Sequence, residues 1–159
     1  MSRILEASKE KGHHKVFSVG DGGVRWLGLE VIRLAPGETW RGELKDEEAA
    51  LVILGGRASI AVANGSESKW DGLGGRADIF GGPPAAVYAP RRSRLEVKAE
   101  AKLELAVAKA PCDVDLPTKL IAPGCQGLMQ AEQGVTSSHD PPPFFSDERP
   151  QKPSPYISN

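Results

Sequence analysis

Aromatic side chains are scarce in this sequence, at 6% of 159 residues, and there are only two cysteines and three histidines. Two cysteines build no disulfide framework. Cys112 and Cys125 form no C-x-x-C pair and enclose no histidine, so both are expected to be free thiols. Charge of one sign is also lacking. A net charge of −1 provides no overall field to gather nucleic acid or an anionic membrane. No uncharged run approaches the roughly 18 residues that span a bilayer; Ile79 to Pro90 is interrupted by two glycines and three prolines. The opening MSRILEASKEK is too charged for a secretory signal. Together these absences lead us to expect a soluble, cytoplasmic protein with neither nucleic acid nor membrane as a partner.

Glycine and proline, by contrast, are plentiful, at 18 and 13 residues, and 40% of the chain is hydrophobic, enough for the core of one domain. Apolar residues alternate with charged ones in Arg94 to Glu100 and again in Lys102 to Val107. This pattern puts one face of a strand on a core and the other in water. A tight turn near Glu100-Ala101 is expected to join the two. Val24 to Leu34 is a longer apolar-rich run, ended by a Pro36-Gly37 turn. Ala49 to Leu54 is continuously apolar and suits a strand buried on both faces. Ser59 to Ala63 and Ala86 to Ala89 add two more strands, and Asn64-Gly65 tolerates the positive φ of a hairpin turn. Gly72-x-Gly74-Gly75 matches no phosphate-binding spacing and is read as a loop. Only Ile4 to Lys11 and Leu116 to Ile121 could hold a helical turn. Six to eight short strands between turns predict an all-β, antiparallel sandwich or small barrel.

The strand pattern fades after Gly124, and six of the 13 prolines fall in the last 19 residues. We therefore expect one domain over residues 1–123. Residues 124–159 should form an irregular tail too poor in apolar surface to offset its chain entropy.

Part of the strand pattern resembles a cupin, a jelly-roll β-barrel. Pro36-Gly37 opens the first cupin-like motif, and Glu48 precedes AALVIL and Gly55 at the spacing of the cupin glutamate. In the second, Val87-Tyr88-Ala89-Pro90 fits the strand and proline. The resemblance puts a metal-binding His-x-His pair at Gly42 and Leu44 and a third histidine at Leu95, none of which can ligate. Arg92 stands where glycine is usual. His13 and His14 are adjacent, and strand neighbours point to opposite faces, so they are read as a surface pair. His139 lies in the expected tail. No catalytic, cofactor-binding or metal-binding residue is assigned in this chain, and it is expected to retain no stoichiometric Zn²⁺, Mn²⁺ or Fe²⁺.

A closer match is carried by three stretches: Val24 to Glu38 (VRWLGLEVIRLAPGE), Ala50 to Ala58 (ALVILGGRA) and Gly75 to Pro90 (GRADIFGGPPAAVYAP). In order and spacing over about residues 15 to 123 they resemble the N-terminal cupin of the 5-deoxy-glucuronate isomerase family of inositol catabolism, relatives of the 5-keto-4-deoxyuronate isomerases. The resemblance implies a bicupin about twice this long that interconverts an aldose and a ketose, with a small sugar acid as substrate and a divalent metal in its C-terminal cupin. On that reading the chain is a truncated family member lacking the catalytic half, either through a shortened or frame-shifted reading or as a natural single-cupin relative. The alternative is a non-catalytic cupin used for binding or assembly. The surface vacated by a second cupin should make the chain a homo-oligomer or leave it poorly soluble.

Overall fold

The computed structural model describes residues 9–21 and 24–123, all within the unit Met1–Gly124. They form ten strands and no α-helix: β1 Gly12–Phe17, β2 Gly28–Leu34, β3 Thr39–Glu43, β4 Glu47–Gly55, β5 Arg57–Asn64, β6 Ser66–Gly74, β7 Ala86–Ala89, β8 Arg94–Ala99, β9 Leu103–Pro111 and β10 Lys119–Ile121. Two antiparallel sheets result, one ordered β1-β2-β9-β4-β7-β10 and the other β3-β8-β5-β6. The expected all-β, cupin-like architecture is present. The tail, Cys125, His139 and the start of the proposed N-terminal helical turn lie outside the described residues. Lys9 to Lys11 are not helical, and Leu116 to Ile121 ends in β10 rather than a helix.

Alternation builds the core. Ile32, Leu51, Ile53, Val87 and Leu105 from one sheet meet Ile60, Val62, Leu95 and Val97 from the other. At roughly 1.5–3 kcal/mol for each large aliphatic side chain, this burial is the main force holding the sheets together. The outer faces differ. On the four-stranded sheet Arg41 and Glu96 pair across strands at 2.7 Å in water. On the six-stranded sheet the outward positions include Val31, Ala50, Val52, Ala106 and Ala108, all aligned by the strand register. Strand β4 is therefore buried fully on one face and only half on the other, not on both.

Strands β8 and β9 do not pair with each other. The chain changes sheet between them, as it does between β4 and β5. The two crossings pack together: the amides of Glu100 and Ala101 donate to the Arg57 carbonyl at 2.9 and 3.2 Å. Gly72 and Gly74, read as loop, lie within β6, both at positive φ. Asn64 and Ser66 do pair around Gly65, as a hairpin requires.

Arg76 accounts for the spacing R-x-D-x-F-x-G-P-P in physical terms. Its guanidinium donates to the carbonyls of Ile53 at 2.9 Å and Gly82 at 2.7 Å, and Asp78 Oδ1 accepts from the Phe80 amide at 2.9 Å. These bonds fold residues 76–82 back onto the end of β4 and leave Phe80 90% exposed.

Arg92 takes the left-handed φ of +60° in the turn where cupins commonly have glycine, and its amide donates to the Lys45 carbonyl at 2.9 Å. A Cβ in that region costs about 1 kcal/mol. Arg92→Gly is expected to stabilise the fold by up to about 1 kcal/mol, partly offset by glycine's extra unfolded-state entropy. Urea unfolding measures it; a lowered midpoint would contradict the strain argument.

Candidate functional site

In a cupin the ligand site lies inside one end of the barrel. Here that end holds a Glu–Lys–His triad that no single stretch of sequence announces. Period-two alternation puts Glu30 on the face of β2 that carries the core residue Ile32, and Lys109 on the face of β9 that carries Leu105 and Val107. His13 pairs in register with Ile32 and so shares that side of the sheet. Glu30 is central: His13 Nε2 lies 2.6 Å from one carboxylate oxygen, and Lys109 Nζ donates to the other at 2.6 Å. The Glu30 side chain is only 8% exposed and that of Lys109 17%. Burial opposes ionisation of Glu30, but the hydrogen bonds from Lys109 and His13 outweigh it and hold the carboxyl below its ordinary range.

His13 has a second contact. Its ring meets the edge of Trp40 with centroids 5.7 Å apart and planes at 66°, a geometry favoured by the ring quadrupoles. Strands β1 and β3 are terminal strands of their sheets, so this contact closes one side of the barrel. The two neighbouring histidines do point to opposite faces of β1. His13 keeps 43% of its side chain exposed, yet it is more than a surface residue, because it is the rim of the triad and touches Trp40. His14 turns the other way, beside Val31, and its ring nitrogen reaches the Glu10 carbonyl at 2.7 Å.

The cupin metal positions do not fit a metal. A Cβ at Gly42 would overlap the Trp40 indole, which occupies the space a ligand side chain would need. Leu44 and Leu95 are buried apolar residues, and inward-facing Ala49 takes the next position. Glu48 points away from the interior, accepting the Tyr88 hydroxyl at 2.7 Å on the outer face of β4; burial and that carboxylate push the Tyr88 hydroxyl up. Among the described residues no three His, Cys, Asp or Glu side chains converge as a metal site would need. Each carboxylate oxygen of Glu30 meets a side chain from a different neighbouring strand, His13 on β1 and Lys109 on β9, which makes the triad a brace between strands. Cys112 is a free thiol whose Sγ lies 3.3 Å from the Val114 carbonyl oxygen.

The triad was not legible from spacing, because Glu30 finds its partners 17 residues upstream and 79 downstream. One signal was present: Glu30 is the only charged residue in the inward register Gly28, Glu30, Ile32, Leu34, and a carboxylate on a buried stripe requires a partner.

No helix among the described residues is long and apolar enough to cross a membrane. The KduI/IolB family model matches residues 4–137. The 5-deoxy-glucuronate isomerase of Geobacillus thermodenitrificans (strain NG80-2) is 37% identical over 132 residues, covering 80% of this chain and 47% of the relative. That of Bacillus subtilis (strain 168) is 28% identical over 104 residues, 65% of this chain and 37% of the relative. Among solved structures, an IolB-like protein from Salmonella typhimurium LT2 superposes with a TM-score of 0.68 at 32% identity, over 77% of this chain and 46% of that one. A variant oxalate decarboxylase of B. subtilis, at 18% identity and a TM-score of 0.51 over 84% of this chain and 37% of that one, shares the fold alone. The chain thus spans about half the length of the curated relatives it matches.

Proposed function

The chain belongs to the KduI/IolB family, and from that premise we propose that it is the N-terminal, metal-free cupin of a 5-deoxy-glucuronate isomerase acting in inositol catabolism in the cytoplasm. The observation that carries this reading is the combination of 37% identity to the isomerases with a barrel interior filled by Trp40 over Gly42. This barrel is a scaffold. Carbonyl polarisation by a divalent metal and the aldose–ketose proton shift on a sugar acid belong to a second cupin packed against it. The half-buried apolar outer face of the six-stranded sheet supports such packing, with a second cupin or a second copy of this chain. Larger exposed apolar patches usually mark an interface.

A second reading is favoured by the same filled interior: a non-catalytic cupin that serves binding or assembly. The two separate in a complementation assay. The purified chain alone should retain no stoichiometric Zn²⁺, Mn²⁺ or Fe²⁺ through dialysis and should not turn over 5-deoxy-glucuronate. Adding the C-terminal half of the G. thermodenitrificans relative should produce turnover above that half alone. One metal per chain, or turnover by the chain alone, would move the active site into this cupin and overturn the scaffold reading. Complementation without any gain would favour the assembly reading.

A further inference from the structure

At the opposite end of β2 from the Glu30 triad lies a groove of about 530 Å³. That volume suits a small organic molecule. Its floor is apolar, formed by Leu34, Pro36 and Leu103, with Gly55 and Ala77 completing the wall. Gly55 lets the wall close, because a Cβ there would come within 2.7 Å of the Ala77 carbonyl oxygen.

Four cations border this groove: Lys9, Lys11, Arg33 and Lys102. Two are matched. Lys11 pairs with Glu38, and Arg33 Nη2 donates to Glu104 at 2.5 Å. Among the described residues Lys9 and Lys102 meet no carboxylate, so the groove keeps two unmatched ammonium groups on a chain whose net charge is −1. Charge alone would satisfy an inorganic anion. Two ammoniums at the rim of an apolar floor call for a ligand with both a negative group and a carbon skeleton.

We propose that this groove binds a small organic carboxylate, with its carbon chain over Leu34, Pro36 and Leu103 and its carboxylate between Lys9 and Lys102. The choice of a sugar acid as probe rests on the isomerase reading; the groove's charge and floor do not. The site is separate from the Glu30 triad.

The test is amide-resolved NMR titration of the full chain with D-glucuronate, with D-glucose and inorganic phosphate as controls at constant ionic strength. Glucuronate should give saturable shifts at Leu34, Ala35, Ala77 and Lys102 to Glu104, and glucose should give none. In the double variant Lys9→Gln/Lys102→Gln half-saturation should rise by about fivefold or more, the loss of two exposed charge contacts. Both lysines are exposed and meet no carboxylate among the described residues, so the variant should fold, and its unliganded spectrum verifies this. Absence of saturable shifts, the same response to phosphate as to glucuronate, or unchanged binding in the double variant would each overturn the proposal. The isomerase reading is judged by turnover in the complementation assay, so failure of the groove leaves it standing, and failure of turnover leaves the groove's binding measurable.

Discussion

Gly56→Ala is expected to cost the fold about 3–5 kcal/mol, enough to threaten a domain of this size. Two causes add. Gly56 holds φ at +90°, where a side chain is strained, and a Cβ there would overlap the Lys102 carbonyl oxygen. Neither side can yield easily. The Gly56 amide donates to the Arg76 carbonyl at 2.8 Å and its own carbonyl accepts from the Gly75 amide at 2.8 Å, while Lys102 sits in the crossing from β8 to β9. This is where the β4–β5 and β8–β9 crossings meet. Gly65→Ala provides the control: its φ is +72° with nothing within 4 Å of the added Cβ. Only backbone strain remains there, and about 1 kcal/mol is expected. Urea midpoints of the two variants decide the matter. Equal losses would mean that the contact with Lys102 relaxes and that the crossings are not rigid against each other.

Glu30→Gln should be the second large loss, about 2–4 kcal/mol at neutral pH. It leaves Lys109 mostly buried without its counter-charge, and removing one partner of a buried ion pair costs more than the pair itself contributes. The pH dependence carries the sign. The folded carboxyl lies below its ordinary 4.5, so its contribution is fully present above about pH 4.5 and fades as pH falls through the depressed value. Wild type should therefore lose stability in acid faster than Glu30→Gln, and the gap between them should narrow below pH 4.5. A gap of constant width from pH 7 to pH 3 would show that the loss does not come from the ionised Glu30 carboxylate.

Much of the fold is legible in residue order alone. The alternations in Arg94 to Glu100 and Lys102 to Val107 locate β8 and β9, Asn64-Gly65 locates the β5–β6 hairpin, and the Gly75 to Pro90 spacing leads to the family. These features succeed because they are local: side-chain period, turn preference and a compact motif depend on neighbours a few residues away. The lack of ligands at the cupin metal positions was legible for the same reason, since a glycine and two leucines cannot ligate whatever surrounds them. Less was legible where two sheets had to be told apart. Strands β8 and β9 look like a hairpin from their alternation, but alternation records which face is buried and not which strand lies alongside.

Residue types and their period thus determined an all-β, antiparallel chain, and the resemblance of its motifs led to the KduI/IolB family and to cupin positions occupied by Gly42, Leu44 and Leu95. Tertiary structure decided the rest. It brought His13 to Glu30 and Trp40, turned Glu48 outward to Tyr88, placed the Trp40 indole over Gly42, and gathered Lys9 and Lys102 over one apolar floor. Each of these depends on strands from distant parts of the chain coming into register. A carboxylate's role follows from what the fold brings within 3 Å of it, and sequence separation carries no trace of that distance.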